Sequence, residues 1–220
     1  DNTITMGDGA KALTAIKGGS GSDTIMLNEA AAGRLAVDLG IGGADTVVLA
    51  ATQSAETTIS NYIYSEGDVV KISGNGSVAA GKVTLAADGQ LVFDESLRLG
   101  TTTVKAALES NVYKARVTGT TGGVEKTSEY WMVGTDSTAI TLDASSMTND
   151  VEINASKAQS ATVVSGMGND DITVSSTGKT MITLGKASGT DTVKVTGGAL
   201  TTSQTLNLVG GSLENIAIDA

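Results

Sequence analysis

Aspartates recur in this chain inside glycine-rich turns, and that pairing is the feature most able to do chemistry. The segment Gly18-Gly19-Ser20-Gly21-Ser22-Asp23-Thr24-Ile25-Met26 matches the nonapeptide G-G-x-G-x-D-x-U-x at every fixed position. Glycines let the backbone turn through positive φ and bring its carbonyls close to an ion. The sixth position supplies a carboxylate and the eighth an apolar side chain for a core. Gly40-Ile41-Gly42-Gly43-Ala44-Asp45-Thr46-Val47-Val48 keeps the first and fourth glycines, the aspartate and the apolar eighth position. Ser165-Gly166-Met167-Gly168-Asn169-Asp170-Asp171-Ile172-Thr173 loses only the first glycine. Lys186-Ala187-Ser188-Gly189-Thr190-Asp191-Thr192-Val193-Lys194 keeps the fourth glycine, the aspartate and the apolar residue. The chain opens on Asn2-Thr3-Ile4-Thr5, which reads as the tail of another copy.

Successive key positions, from Asn2 to Asp23 to Asp45 and from Asp170 to Asp191, lie 21, 22 and 21 residues apart. A fixed period of this size predicts solenoid coils, each one circuit of the chain. Parallel stacking at about 4.8 Å would bring Asp23 near Asp45 and Asp170 near Asp191. Two unit charges at about 5 Å repel by about 3 kcal/mol at an effective dielectric of about 20. A cation between them would reverse the sign of that interaction. The alternative for the same residues is a set of metal-free Asx turns, in which aspartate bonds its own backbone.

These segments resemble the RTX, or haemolysin-type calcium-binding, repeat family. In that family the first six residues form a calcium-binding turn and the last three a short strand. The resemblance implies Ca2+ as the cofactor. It implies Asp23, Asp45, Asp170 and Asp191 as side-chain ligands, joined by the carbonyls of Gly18, Ser20, Gly40 and Gly42. The chain departs from the family in having longer coils with one glycine-rich turn each. Opposite turns such as Asn28-Glu29-Ala30-Ala31-Ala32-Gly33 do not match.

The expected fold is all-β: parallel β-roll or β-helix solenoid blocks with a small antiparallel β insertion. Residues 1–74 are expected to form one calcium-binding solenoid block, 75–135 an antiparallel unit and 136–220 a second calcium-binding block. Short β-branched runs between Gly, Asn, Asp and Ser clusters mark the strands, among them Thr24–Leu27, Leu35–Leu39 and Thr46–Ala50. The stretch from Ile59 and Tyr62 to Gly67-Asp68-Val69-Val70-Lys71-Ile72 resembles a segment that closes RTX arrays, or is an ordinary hairpin. Asp88-Gly89 signals a tight hairpin between Lys82–Ala86 and Gln90–Phe93, and Thr101–Glu109 is expected to form a short helix. Tyr130 and Trp131 are either core residues or a sugar-stacking platform. From Ile140 onward, strand-like runs return about every ten residues, giving two strands per coil.

Composition narrows the function. Of the 220 residues 40% are hydrophobic but only 3% aromatic, which suits a thin interior of Val, Ile, Leu and Ala. The chain holds no histidine and no cysteine, excluding the usual zinc sites, thiol catalysis and a disulfide framework. Proline is absent, so slow X-Pro isomerisation cannot delay folding. A formal net charge of −10 speaks against nucleic-acid binding, which needs a basic stripe. No apolar run approaches the roughly 20 residues of a membrane span. Arg34, Arg98 and Arg116 show no cluster, so a lyase-like enzyme is not expected. Asp1, Asp38, Asp88, Asp136, Asp143 and Asp150 read as turn formers or solvated charges. A start inside a repeat leads to the expectation of a fragment of a longer protein.

The leading expectation is therefore a non-enzymatic structural module of an exported bacterial cell-surface protein. Such a module, from an S-layer, adhesin or matrix protein, would become rigid on binding calcium and self-associate into a layer or filament. The alternatives are a polysaccharide-binding module and a secretion module of an exported enzyme.

Overall fold

The computed structural model describes residues 1–6, 15–27, 34–50, 56–73, 82–99, 101–135, 139–175, 179–185 and 190–197, and the backbone of 206–209 and 213–218. The expected turn 28–33, Asp136, residues 186–189 and the glycines at 210–211 lie outside these. The fold is a β-solenoid of about seven turns, mostly parallel, with a small antiparallel part.

The chain divides into two compact units. Unit 1 comprises Asp1–Glu109 with Lys114–Thr127, and unit 2 comprises Ser110–Tyr113 with Ser128–Ala220. Strands β1 (Thr3–Thr5), β2 (Ala15–Lys17), β3 (Thr24–Leu27), β4 (Arg34–Asp38), β5 (Thr46–Leu49), β6 (Glu56–Tyr62), β7 (Val69–Ile72), β8 (Val83–Leu85), β9 (Gln90–Phe93), β10 (Thr102–Ala106) and β11 (Leu108–Glu109) belong to unit 1. The division passes through β12 (Val112–Thr121) and β13 (Val124–Val133). Unit 2 continues with β14 (Ile140–Asp143), β15 (Asp150–Ala155), β16 (Ala161–Val164), β17 (Asp171–Ser175), β18 (Thr180–Thr183), β19 (Asp191–Thr196), β20 (Leu206–Val209) and β21 (Leu213–Ile218).

In unit 1 one parallel ladder runs β1-β3-β5-β7-β12 and a second runs β2-β4-β6-β10. The antiparallel strands β9 and β8 extend the second ladder. Strand alternation turns every second side chain inward, and the in-register pairing stacks those side chains into columns. Ile25, Val47, Val70 and Val117 form one column. Ile16, Val37, Ile59 and Val104 form another. All eight are buried. Unit 2 repeats the plan. Trp131, Ile153, Ile172 and Val193 stack along β13-β15-β17-β19, while Leu142, Val163 and Ile182 stack along β14-β16-β18. Small β-branched residues suit these columns because each must fit within one interstrand spacing.

Thr101–Glu109 does not form the expected helix. Thr102, Thr103 and Val104 are β-branched and pair in register with Thr57, Thr58 and Ile59 of β6, and an available parallel edge outweighs a weak local helix signal. The Ile59-to-Ile72 stretch does not end the ladders: β10 continues from β6 and β12 from β7. Tyr130 and Trp131 are both buried, and Trp131 belongs to the apolar core of unit 2.

Close coil stacking explains Gly40, and positive φ alone explains Gly42. Gly40 has φ 105° and Gly42 φ 75°. A Cβ on Gly40 would strike the Gly19 backbone, whereas one on Gly42 would meet nothing. We expect Gly42→Ala to cost about 1–2 kcal/mol from left-handed backbone strain alone, and Gly40→Ala at least about twice that. Urea denaturation of both variants checks the ranking; equal losses would contradict close stacking at Gly40.

Candidate functional site

The expected aspartates stand at the starts of β3, β5, β17 and β19, and the structure stacks Asp23 with Asp45 and Asp170 with Asp191. Asn2, Asp23, Asp45 and Asp68 form one column in unit 1, each in the turn ahead of its strand. Asp23, Asp45 and Asp68 are almost wholly buried, as are Asp170 and Asp191 in unit 2.

Their oxygens go to backbone donors of the neighbouring coil. Oδ1 of Asp23 accepts the Asn2 N–H at 2.6 Å and the Asn2 side-chain amide at 2.8 Å. Oδ1 of Asp45 accepts the Asp23 N–H at 2.7 Å, and Oδ1 of Asp68 accepts the Asp45 N–H at 2.9 Å. The other oxygen of Asp68 accepts the Ile63 N–H at 2.7 Å. In unit 2, Asp170 accepts from Val151 N–H at 2.9 Å and Asp191 from Asp170 N–H at 3.1 Å. Apart from the Ile63 bond, which spans 5 residues, these bonds span 19 to 23 residues, so they are not Asx turns. True Asx turns do occur at Asp38, Asp88 and Asp143, which accept the N–H two residues on.

The preceding position does the reverse. Asp1 accepts the Ser22 N–H at 2.7 Å, and the Ser22 hydroxyl oxygen accepts the Ala44 N–H at 3.0 Å. Asp150 accepts the Asn169 N–H at 2.9 Å, and Asn169 accepts the Thr190 N–H at 2.8 Å. Position-five side chains thus reach forward one coil while position-six carboxylates reach back. Between the two columns the backbone ladder closes, with Thr24 N–H on the Asn2 carbonyl and Thr46 N–H on that of Asp23.

Two of the expected carbonyl ligands also have donors: Gly18 accepts from the Asn2 amide and Gly42 from the Gly21 N–H. Ser20 forms a parallel bridge to Ile41, and Gly40 donates its N–H to Asp38. Calcium needs six to eight oxygens. Among the described residues no group of three or more acidic side chains is placed to hold a metal ion. Among the described aspartates of these columns, Asp23 Oδ2 and Asp170 Oδ2 are buried without a donor, one in each unit. The donors are of the right kind for calcium, but this set does not make up its shell.

Burial dominates the electrostatics. It pushes Asp68 up to about 6 against the Ile63 and Asp45 N–H bonds, with the Asp45 charge adding to the rise. Asp45 and Asp170 are raised for the same first reason, each opposed by a backbone N–H and pushed further by a stacked aspartate. On the outer row of unit 2, Glu152 lies in register with Asp171 and is pushed up to about 7 by burial and then by that charge.

Sequence reasoning missed Asp68 and the position-five column. Asp68 follows Asp45 by 23 residues, so the period extended to it. Asp1 and Asp150 were placed among ordinary turn formers although they precede position six. Neither the protein-family models, the curated proteins nor the solved structures contain a match to this chain.

Glu152 gives a pH test. Its folded value, about 7, exceeds the ordinary carboxylate value, so its contribution to stability is complete below about pH 4.5 and is lost as pH rises through about 7. Glu152→Gln is therefore expected to match the native protein at pH 4 and exceed it by about 1–3 kcal/mol at pH 8. Urea denaturation at the two values decides; no gain at pH 8 would contradict the upward push on the partly buried Glu152.

Proposed function

We propose that this chain is a non-enzymatic structural module of an exported bacterial cell-surface protein, in which stacked coils form a stiff, acidic unit. The observation that carries the reading is the unbroken coupling from Asn2 through Asp23 and Asp45 to Asp68, where side chain and backbone both tie each coil to the next. Such a ladder makes stability a sum of nearest-neighbour interfaces, which suits a spacer or a lattice element. The resemblance of Gly18–Met26 to RTX segments supports export. The net charge of −10 supports work outside a nucleic-acid setting.

Fractionation of cells that make the full gene product tests this. The protein is expected in the envelope or the medium. Negative-stain images of that fraction are expected to show filaments or an ordered layer. A cytosolic protein, or turnover of a polysaccharide by the purified chain, would overturn the proposal.

A further inference from the structure

The glycine–aspartate motif implies a resident calcium ion, and the donor set does not fit one. We infer that the acidic column is instead a metal-independent hydrogen-bond staple, in which the acceptor at position six matters and its negative charge does not. The bonded oxygen at Asp23, Asp45 and Asp68 points to an N–H of the preceding coil. The bonds from the Asp23 and Asp45 N–H groups are buried and that from Asn2 partly so, and a buried N–H left unmet is costly.

The mirror-image column, whose bonds are exposed, shows that a neutral acceptor can bridge two coils. There the neutral Ser22 hydroxyl and Asn169 amide oxygen accept N–H groups across coils just as Asp150 does. Asp23 carries the argument furthest. Its Oδ2 is buried without a donor. A Cβ built on Gly18 would strike both that oxygen and the Leu39 carbonyl oxygen, so two acceptors converge on one small hollow. An amide NH2 in place of Oδ2 would turn one of these two acceptors into a donor that shares the hollow with the Leu39 carbonyl oxygen. Neutralising Asp23 also removes its repulsion with Asp45 one coil away. A metal ligand would behave in the opposite way, because calcium binds carboxylates far better than amides.

The test compares the native chain with Asp23→Asn and Asp23→Ala by urea denaturation. Each is measured in chelator, in about 10 mM calcium, a level above the weakest extracellular calcium modules, and in equal magnesium. Asp23→Asn is expected to be at least as stable as the native chain, with calcium shifting neither midpoint beyond the magnesium control. Asp23→Ala is expected to lose roughly tenfold or more in folding equilibrium constant, because the Asn2 N–H loses its acceptor. A calcium-specific rise in the native midpoint that Asp23→Asn abolishes would overturn the inference. So would an Asp23→Asn variant as unstable as Asp23→Ala in chelator. Should Asp23→Ala fail to fold, the native chain and Asp23→Asn decide the matter with and without calcium.

Discussion

A backbone N–H at the corner of a solenoid coil must find an acceptor, and the rest of this structure follows from how it does so. Along the strands the parallel ladder satisfies every second peptide group on each side. At the corners the chain leaves the ladder, and buried N–H groups there would be left unmet. Here the neighbouring coil supplies the acceptor from a side chain. Position six reaches back and position five reaches forward, so two bonds of opposite sense cross the same interface at Ser22-Asp23 and again at Asn169-Asp170. A slip of one residue would break both at once, and it would also turn Ile25 and Val47 out of their core column.

The core and the corners impose the same spacing. Each inward column accepts one side chain per strand, so large rings fit poorly and β-branched residues fit well. Buried rings do occur, at Tyr62, Tyr130 and Trp131, and Trp131 stands beside Ile153 in unit 2. At the corners the coils approach until no Cβ fits: Gly168 faces the Asn149 and Asp150 backbone, and Gly43 faces that of Gly21 and Ser22. Glycine content, small apolar residues and the scarcity of aromatics are therefore one constraint seen in three ways. In such a repeat architecture stability is distributed coil by coil.

Much of this was legible in the chain. The period of 21 to 22 residues and the β-branched runs located the coils, because both follow from alternation and turn chemistry within a few residues. Thr24–Leu27 and Gln90–Phe93 fall where the sequence places them. Thr101–Glu109 was not legible, since its strand exists only because β6 offers an edge. Nor could the sequence say where the carboxylates point. Glycine beside aspartate is equally the signature of an ion site, an Asx turn and a cross-coil acceptor. Only the third dimension separates Asp38, which bonds the N–H two residues on, from Asp23, which bonds one 21 residues back.

If charge is not what position six contributes, the aspartate at Asp68 needs another reason, and the number of bonds supplies it there. A carboxylate offers two strong acceptor oxygens where an amide offers one. Asp68 uses both, on Asp45 and Ile63, at the point where Tyr62 donates its hydroxyl to the Asp68 carbonyl. Asp23 receives two donors from Asn2 on a single oxygen. At Asp68 an asparagine would leave the Ile63 N–H facing another donor, so the carboxylate is irreplaceable there on hydrogen-bond count alone. The charge then accompanies the acceptors, and burial answers it by pushing Asp68 up to about 6. Aspartate in these turns is thus selected by what the adjacent backbone must donate, and its electrostatic burden is carried by the fold.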